Sequence, residues 1–337
     1  MEKRARLEWV DIAKGIAIIL MVIGHEVPKV QSQHIYALIF SFHMPLFFVL
    51  SGFTSRPVET WERFWVKAKK TFIHVWLLAV LMIILLGFES LLFLNGYSIT
   101  SFYQSIIRGI YWGSNISAIG LMSVGVMWFL FIFFWAKLIF DALQVVLSDI
   151  YIGIVLFIAS GISMFYCQNF AHYLPQALDI VPIAAFFMWA GAVARKATGN
   201  NLIMAKKNVL YSVLIIFWVI CFALNIYIEL SIRYYPLTYV SIVEALGGTL
   251  AVSLLSKWLT PLKLSSLLQL VGKHTLAVLC IHHLDLFWVN WGNYIHWWPL
   301  AAVLRLIIDL AILAIVLLVQ RFMKKKGELA KWRKEVF

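Results

Sequence analysis

Apolar residues in this chain gather into long runs, and charged residues fall in short clusters between them. Ten runs read as candidate helices, near residues 9–27, 35–54, 72–94, 124–143, 150–167, 177–194, 209–230, 239–256, 267–289 and 300–322. At about 20 residues each they match the hydrocarbon thickness of a bilayer, and none shows the period-two alternation of a barrel strand. No internal repeat, low-complexity tract or linker divides them. The pattern predicts an all-α integral membrane protein. It would be a bundle of about ten transmembrane helices in a single domain over residues 1–337, with a basic cytoplasmic tail at 323–337.

Composition narrows the class further. Of 337 residues, 63% are hydrophobic and 13% charged, against about 45–50% and about 25% in a soluble domain. A soluble core has no way to cover that surface, and a disordered chain would lack these aromatic and branched residues. The net charge of +12 is distributed as membrane topology requires, not as a nucleic-acid surface. With ten spans, 22 of the 28 Lys and Arg fall on one side, while Lys29, Arg108 and Arg233 fall on the other. Lys14, Lys273 and Arg305 lie within segments. By the positive-inside rule both termini are expected in the cytoplasm. The first run has the basic start of a signal peptide, but Asp11 and Lys14 interrupt it and no small-x-small cleavage site follows, so it reads as a retained helix. Cys167, Cys221 and Cys280 lie far apart and suggest neither a disulfide framework nor a thiolate metal site.

Ionisable groups inside a span are costly, so each is a candidate for function. Lys14 and His25 are eleven residues apart, which places them within about 20° of one helix face and about 16 Å apart along the axis. Asp11 stands three residues before Lys14 and is expected to neutralise it. A snorkelling lysine and an interfacial histidine would have the same spacing. The second run carries His43, with Pro45 freeing a backbone carbonyl and Gly52 permitting close helix approach. The ninth brings His282 toward the same half of the membrane as His25. Glu26, Glu244 and His282 are candidates for binding a substrate, and no spacing resembles a zinc motif, so no metal is expected. Arg305 and Asp309 are expected to form a buried i,i+4 pair. Arg63, Lys67, Lys69 and Lys70 form a basic cluster that suits either anionic lipid or the phosphates of a cofactor. The same Lys, His and Asp residues would also serve a proton-coupled transporter of an envelope precursor, although the His-Met-Pro segment has no counterpart in the second half.

In order along the chain stand Asp11-Ile12-Ala13-Lys14-Gly15 with Gly24-His25, then Phe42-His43-Met44-Pro45-Leu46-Phe47-Phe48 with Ser51-Gly52-Phe53. Trp128-Phe129-Leu130 and Gly272-Lys273-x-Thr275-Leu276 with His282 follow. These landmarks resemble the bacterial acyltransferase-3 family, nearest to its fucose 4-O-acetylase-like membrane acetyltransferases. The resemblance implies transfer of an acyl group, usually acetyl from cytoplasmic acetyl-CoA, to a hydroxyl of a carbohydrate or lipid-linked glycan at the bacterial cytoplasmic membrane. It implies that His25 is the catalytic histidine and Lys14 its basic partner toward coenzyme A, with Asp11 and His43 beside them. Lys67 and Lys70 stand where many members have Arg-x-x-Arg, and with Arg63 they would hold the phosphates. Lysine there loses the bidentate geometry of arginine, and His74 replaces a frequent proline.

Overall fold

A computed structural model describes residues 6–170, 173–198, 201–263, 265–288 and 291–325. Lys3, Arg4 and the basic tail from residue 326 onward lie outside the described residues. Among the described residues the chain is helical, with only two isolated bridge pairs, Ala118–Leu121 and Glu229–Tyr234. The α-helices are α1 (Glu8–Gly24), α2 (Gln33–Thr54), α3 (Trp61–Thr71), α4 (Leu77–Phe93), α5 (Ile99–Trp112), α6 (Trp128–Val146), α7 (Asp149–Asn169), α8 (Val181–Ala197), α9 (Asn201–Ala223), α10 (Tyr239–Leu259), α11 (Ser265–Lys273), α12 (Thr275–Trp288) and α13 (Trp298–Lys325).

Every one of the ten apolar runs falls on a helix. Among the described residues seven helices are long and apolar enough to cross a membrane, and α11 and α12 pass the same test only as a pair, bent by 77° at their break. The first helix, with 17 residues, and the apolar stretch Lys207–Ala223 of α9 are shorter. Large apolar side chains such as Leu81, Leu85, Ile154, Ile158, Ile307 and Val319 are exposed on α4, α7 and α13. A multi-pass membrane protein presents such faces to lipid, which needs no polar cover.

Four boundaries differ from the expected ones. The third run begins not at residue 72 but at Trp61, because Thr60 caps an amphipathic start by accepting from the Arg63 N–H at 3.3 Å. A π-helical turn at Phe72–Trp76 joins that start to α4. No helix was expected between residues 94 and 124, yet α5 forms there, capped by Ser98 and ended by Gly113 in a left-handed conformation (φ 53°). The seventh run stops at Ala223, not residue 230, and the ninth breaks at His274.

Two helix crossings set the core. Where α2 meets α8, a Cβ on Gly52 would run into the Met188 carbonyl, and one on Gly191 into that of Val49. Where α1 meets α11, a Cβ on Gly15 would strike the Leu268 carbonyl, and one on Gly272 that of Asp11. Each crossing therefore has a glycine on both partners, the condition for backbones to touch in lipid. The first confirms the role expected of Gly52. The second clamps the Lys14 end of α1 against the broken helix.

Two cations counted toward sidedness prove structural. Lys137 lies within α6 and pairs with Asp141 one turn on. Arg233 is buried and left-handed (φ 57°); its Nε donates to Asp179 Oδ2 at 2.8 Å and its Nη1 to Ser114 Oγ at 2.9 Å. It thereby ties three inter-helix segments together over the His25 end of the bundle.

Candidate active site

Lys14, Ile18, Met21 and His25 recur along α1 and its C-cap at helical spacing, so one face carries all four. That face opens on three internal cavities. The first, about 340 Å³, is lined by Arg6, Asp11, Lys14, Thr54 and Arg195, among others. Lys14 and Thr54 also border the second, about 260 Å³, which continues along Ile18 and Phe47 to Met21, Met44 and Leu279. Those last three border the third as well, about 240 Å³, which holds His25, His43, Asn115 and Glu229. Three adjacent cavities thus form a string from a cationic mouth, past Lys14, to His25, with Met21, Met44 and Leu279 standing at the neck between the second and the third.

His25 is exposed, and it lines the far cavity. Its ring centroid lies 5.1 Å from that of His282, with the planes tilted by 43°. His282 and Asp309 are fully buried, and His282 Nδ1 lies 3.0 Å from Asp309 Oδ2. A carboxylate there selects the tautomer with the proton on Nδ1, leaving Nε2 as a bare acceptor. Among the described residues Nε2 has no hydrogen-bond partner. His43 Nδ1 lies 2.9 Å from the Ile39 carbonyl, so it donates there and its Nε2 is the acceptor. The His43 ring meets Phe40 edge-on.

Arg305, 2% exposed, organises the acids around this pair. Its Nε donates to Glu26 Oε1 at 2.5 Å and its Nη1 to Asp285 Oδ2 at 2.6 Å. The expected Arg305–Asp309 pair is thus replaced by two links, Arg305 to Glu26 and Asp285, and Asp309 to His282. A guanidinium has five donors and reaches both carboxylates, and the histidine takes the third. Donor atoms of His282, Asp285 and Asp309 lie within 4.8 Å of one another. A cation already faces one of these acids, the Arg305 guanidinium on Asp285.

The structure gathers some of the expected site and disperses the rest. Lys14, His25, His43, Glu26 and His282 lie on or beside the string of cavities. Asp11 lines the mouth and its charge favours the Lys14 ammonium, but its contacts go to Arg6: it accepts from Arg6 Nε at 2.6 Å and Nη2 at 3.0 Å. The longer side chain reaches forward from the helix start in a forked geometry that lysine lacks. Among the described residues Lys14 therefore has no ion-pair partner within 4 Å and is left facing two cavities. Arg63 pairs with Glu59 at 3.2 Å, Lys67 Nζ donates to the Arg56 carbonyl at 2.5 Å, and Lys70 is exposed. None of the three lines these cavities, and neither does Glu244, which is fully buried on α10. Sequence reasoning missed the cavity role of Arg6 and Arg195, which are remote in sequence, and the reach of Arg305 to Glu26.

Residues 7–320 match the family model described as an acyltransferase domain, Acyl_transf_3. No curated protein and no solved structure matches the chain.

Proposed function

Because this chain belongs to the acyltransferase-3 family, and is an acyltransferase, we propose that it moves an acetyl group from cytoplasmic acetyl-CoA to a hydroxyl of an envelope carbohydrate, with His25 as general base. Family membership selects the enzyme over the transporter. In this reading the Lys14 end faces the cytoplasm, as the surplus of basic residues on that side implies. Arg6, Lys14 and Arg195 would meet the phosphates of the donor at the cationic mouth. The pantetheine arm would lie along Ile18 and Phe47, and the thioester would pass the methionine neck to His25.

A sugar hydroxyl is a weak nucleophile at neutral pH. His25 removes its proton as the oxygen attacks the thioester carbonyl; the carbon–sulfur bond breaks, and the imidazolium returns the proton to the departing sulfur. The products are the ester and the free thiol, and His25 ends as it began. A positioned base of this kind contributes typically about 10²–10⁴-fold. His282, held by Asp309, keeps the His25 ring in place.

The observation that carries this reading is the adjacency of the cavities: Lys14 borders the first two, His25 the third, and Met21, Met44 and Leu279 are shared by the second and third. Filling the neck with Met21→Trp is the test. Acyl transfer from labelled acetyl-CoA should collapse while coenzyme A still binds, and undiminished transfer would overturn the route.

A further inference from the structure

Lys29 lies four residues beyond His25, in the link between α1 and α2. Three tyrosine rings surround its ammonium: Nζ is 5.2 Å from the centroid of Tyr36, 5.8 Å from Tyr227 and 5.5 Å from Tyr234. Tyr36 comes from the first turn of α2. Tyr234 is itself one member of the bridge pair with Glu229, and Tyr227 lies two residues before Glu229. Glu229 closes the cage with a side chain 5% exposed. Its Oε1 accepts from the Tyr36 hydroxyl at 3.0 Å and from Ser231 at 3.2 Å. Its Oε2 is 3.6 Å from Lys29 Nζ and accepts no hydrogen bond among the described residues.

An ammonium among aromatic faces with a carboxylate beside it is the arrangement by which proteins recognise alkylammonium ligands. Here the cation is supplied by the chain, on a side chain that is half exposed. Withdrawing it returns the ammonium to water, so an incoming cation exchanges for it at little net cost. Glu229 and Ser231 also line the cavity that contains His25. A molecule anchored in the cage by its cationic group would therefore extend toward the catalytic histidine.

We propose that the Tyr36–Tyr227–Tyr234 cage with Glu229 is the recognition site for an ammonium-bearing acceptor, a sugar with a free amino group, and that Lys29 is a tethered competitor which leaves when the acceptor binds. That the ligand is the acceptor rests on the acyl-transfer reading; that the cage takes up a cation does not. The tether keeps Lys29 at a high effective concentration, so the exchange favours ligands that also fill the cavity.

Two measurements on the full-length protein in detergent, at constant ionic strength and without acyl donor, test the proposal. In the first, peptide mass spectrometry follows labelling of Lys29 by an amine-reactive reagent. Tetramethylammonium, and glucosamine, should raise the labelling rate severalfold, whereas N-acetylglucosamine should not. Unchanged labelling with tetramethylammonium would overturn the cage. A response to tetramethylammonium but none to glucosamine would overturn the amino-sugar assignment. In the second, Lys29→Met should bind tetramethylammonium about tenfold more tightly than the wild type, because the competitor is gone. Adding Tyr234→Ala should remove that gain, and equal affinity in Lys29→Met and wild type would contradict the exchange. Since neither readout uses catalysis, the cage can fail while acyl transfer stands, and the reverse.

Discussion

His25 and His282 stand with ring centroids 5.1 Å apart, and the second is fixed from behind by Asp309. The proposed base therefore has a neighbour whose own orientation is set by a buried carboxylate. Replacing that carboxylate with an amide keeps the volume and reverses the hydrogen-bond preference.

Asp309→Asn should accordingly lower kcat by roughly 10²-fold with little change in KM for the acyl donor. The pH–rate profile should move as well, which a merely structural role for Asp309 would not produce. A variant with wild-type kcat and pH profile would show that the His282–Asp309 link plays no part in turnover.

Arg305 is the only hydrogen-bonding cation on Glu26 and Asp285 among the described residues. Arg305→Met leaves the buried Asp285 and the partly buried Glu26 without it and should destabilise the fold by about 3–5 kcal/mol. Thermal unfolding of the purified protein would measure the loss. Adding Glu26→Gln and Asp285→Asn should restore most of it, because neutral amides do not need the guanidinium.

The cationic mouth can be separated from the exposed basic helix by kinetics. Lys14→Ala and Arg195→Ala should each raise KM for acetyl-CoA by about tenfold, the loss of one charge-assisted contact. Lys67→Ala with Lys70→Ala should change it far less, since neither residue lines the cavities. The opposite ranking would return the phosphate site to α3.

Glu229 gives stability a pH dependence. Burial raises its carboxyl above the ordinary value, against the opposing pull of Lys29 and of hydrogen bonds from Tyr36 and Ser231. A carboxyl raised in the fold holds its proton more tightly folded than unfolded. Its contribution to stability is then complete below the unfolded value and lost as pH rises through the folded one. The wild type should therefore lose Tm relative to Glu229→Gln over the range of pH that rises upward from the ordinary carboxyl value. A gap in Tm that stays constant over that range would contradict this.

Much of the architecture was legible in the sequence. Apolar runs located ten helical segments, and the period of α1 placed Lys14 and His25 on one face, which is the face that lines the adjacent cavities. The parts that were not legible have common causes. Helix α5 and the α3 start are short, with polar residues among the apolar ones, so a search for long apolar runs passes over them. The break at His274 has no proline to announce it. Asp11 was expected to serve Lys14 because local spacing allowed it, but Arg6 offers a forked contact that spacing alone does not rank. The links from Arg305 to Glu26 and from His282 to Asp309 join distant helices, and pairing across helices is set by packing. Among the landmarks of the site, the histidines could be named in advance, but their partners could not.

The central claim is that His25 takes the acceptor proton, and its most direct test is transfer of labelled acetyl from acetyl-CoA to candidate glycans by purified His25→Ala. The account predicts a loss of at least about 10²-fold in turnover, with expression and binding of coenzyme A retained. Near-normal turnover in that variant would contradict it.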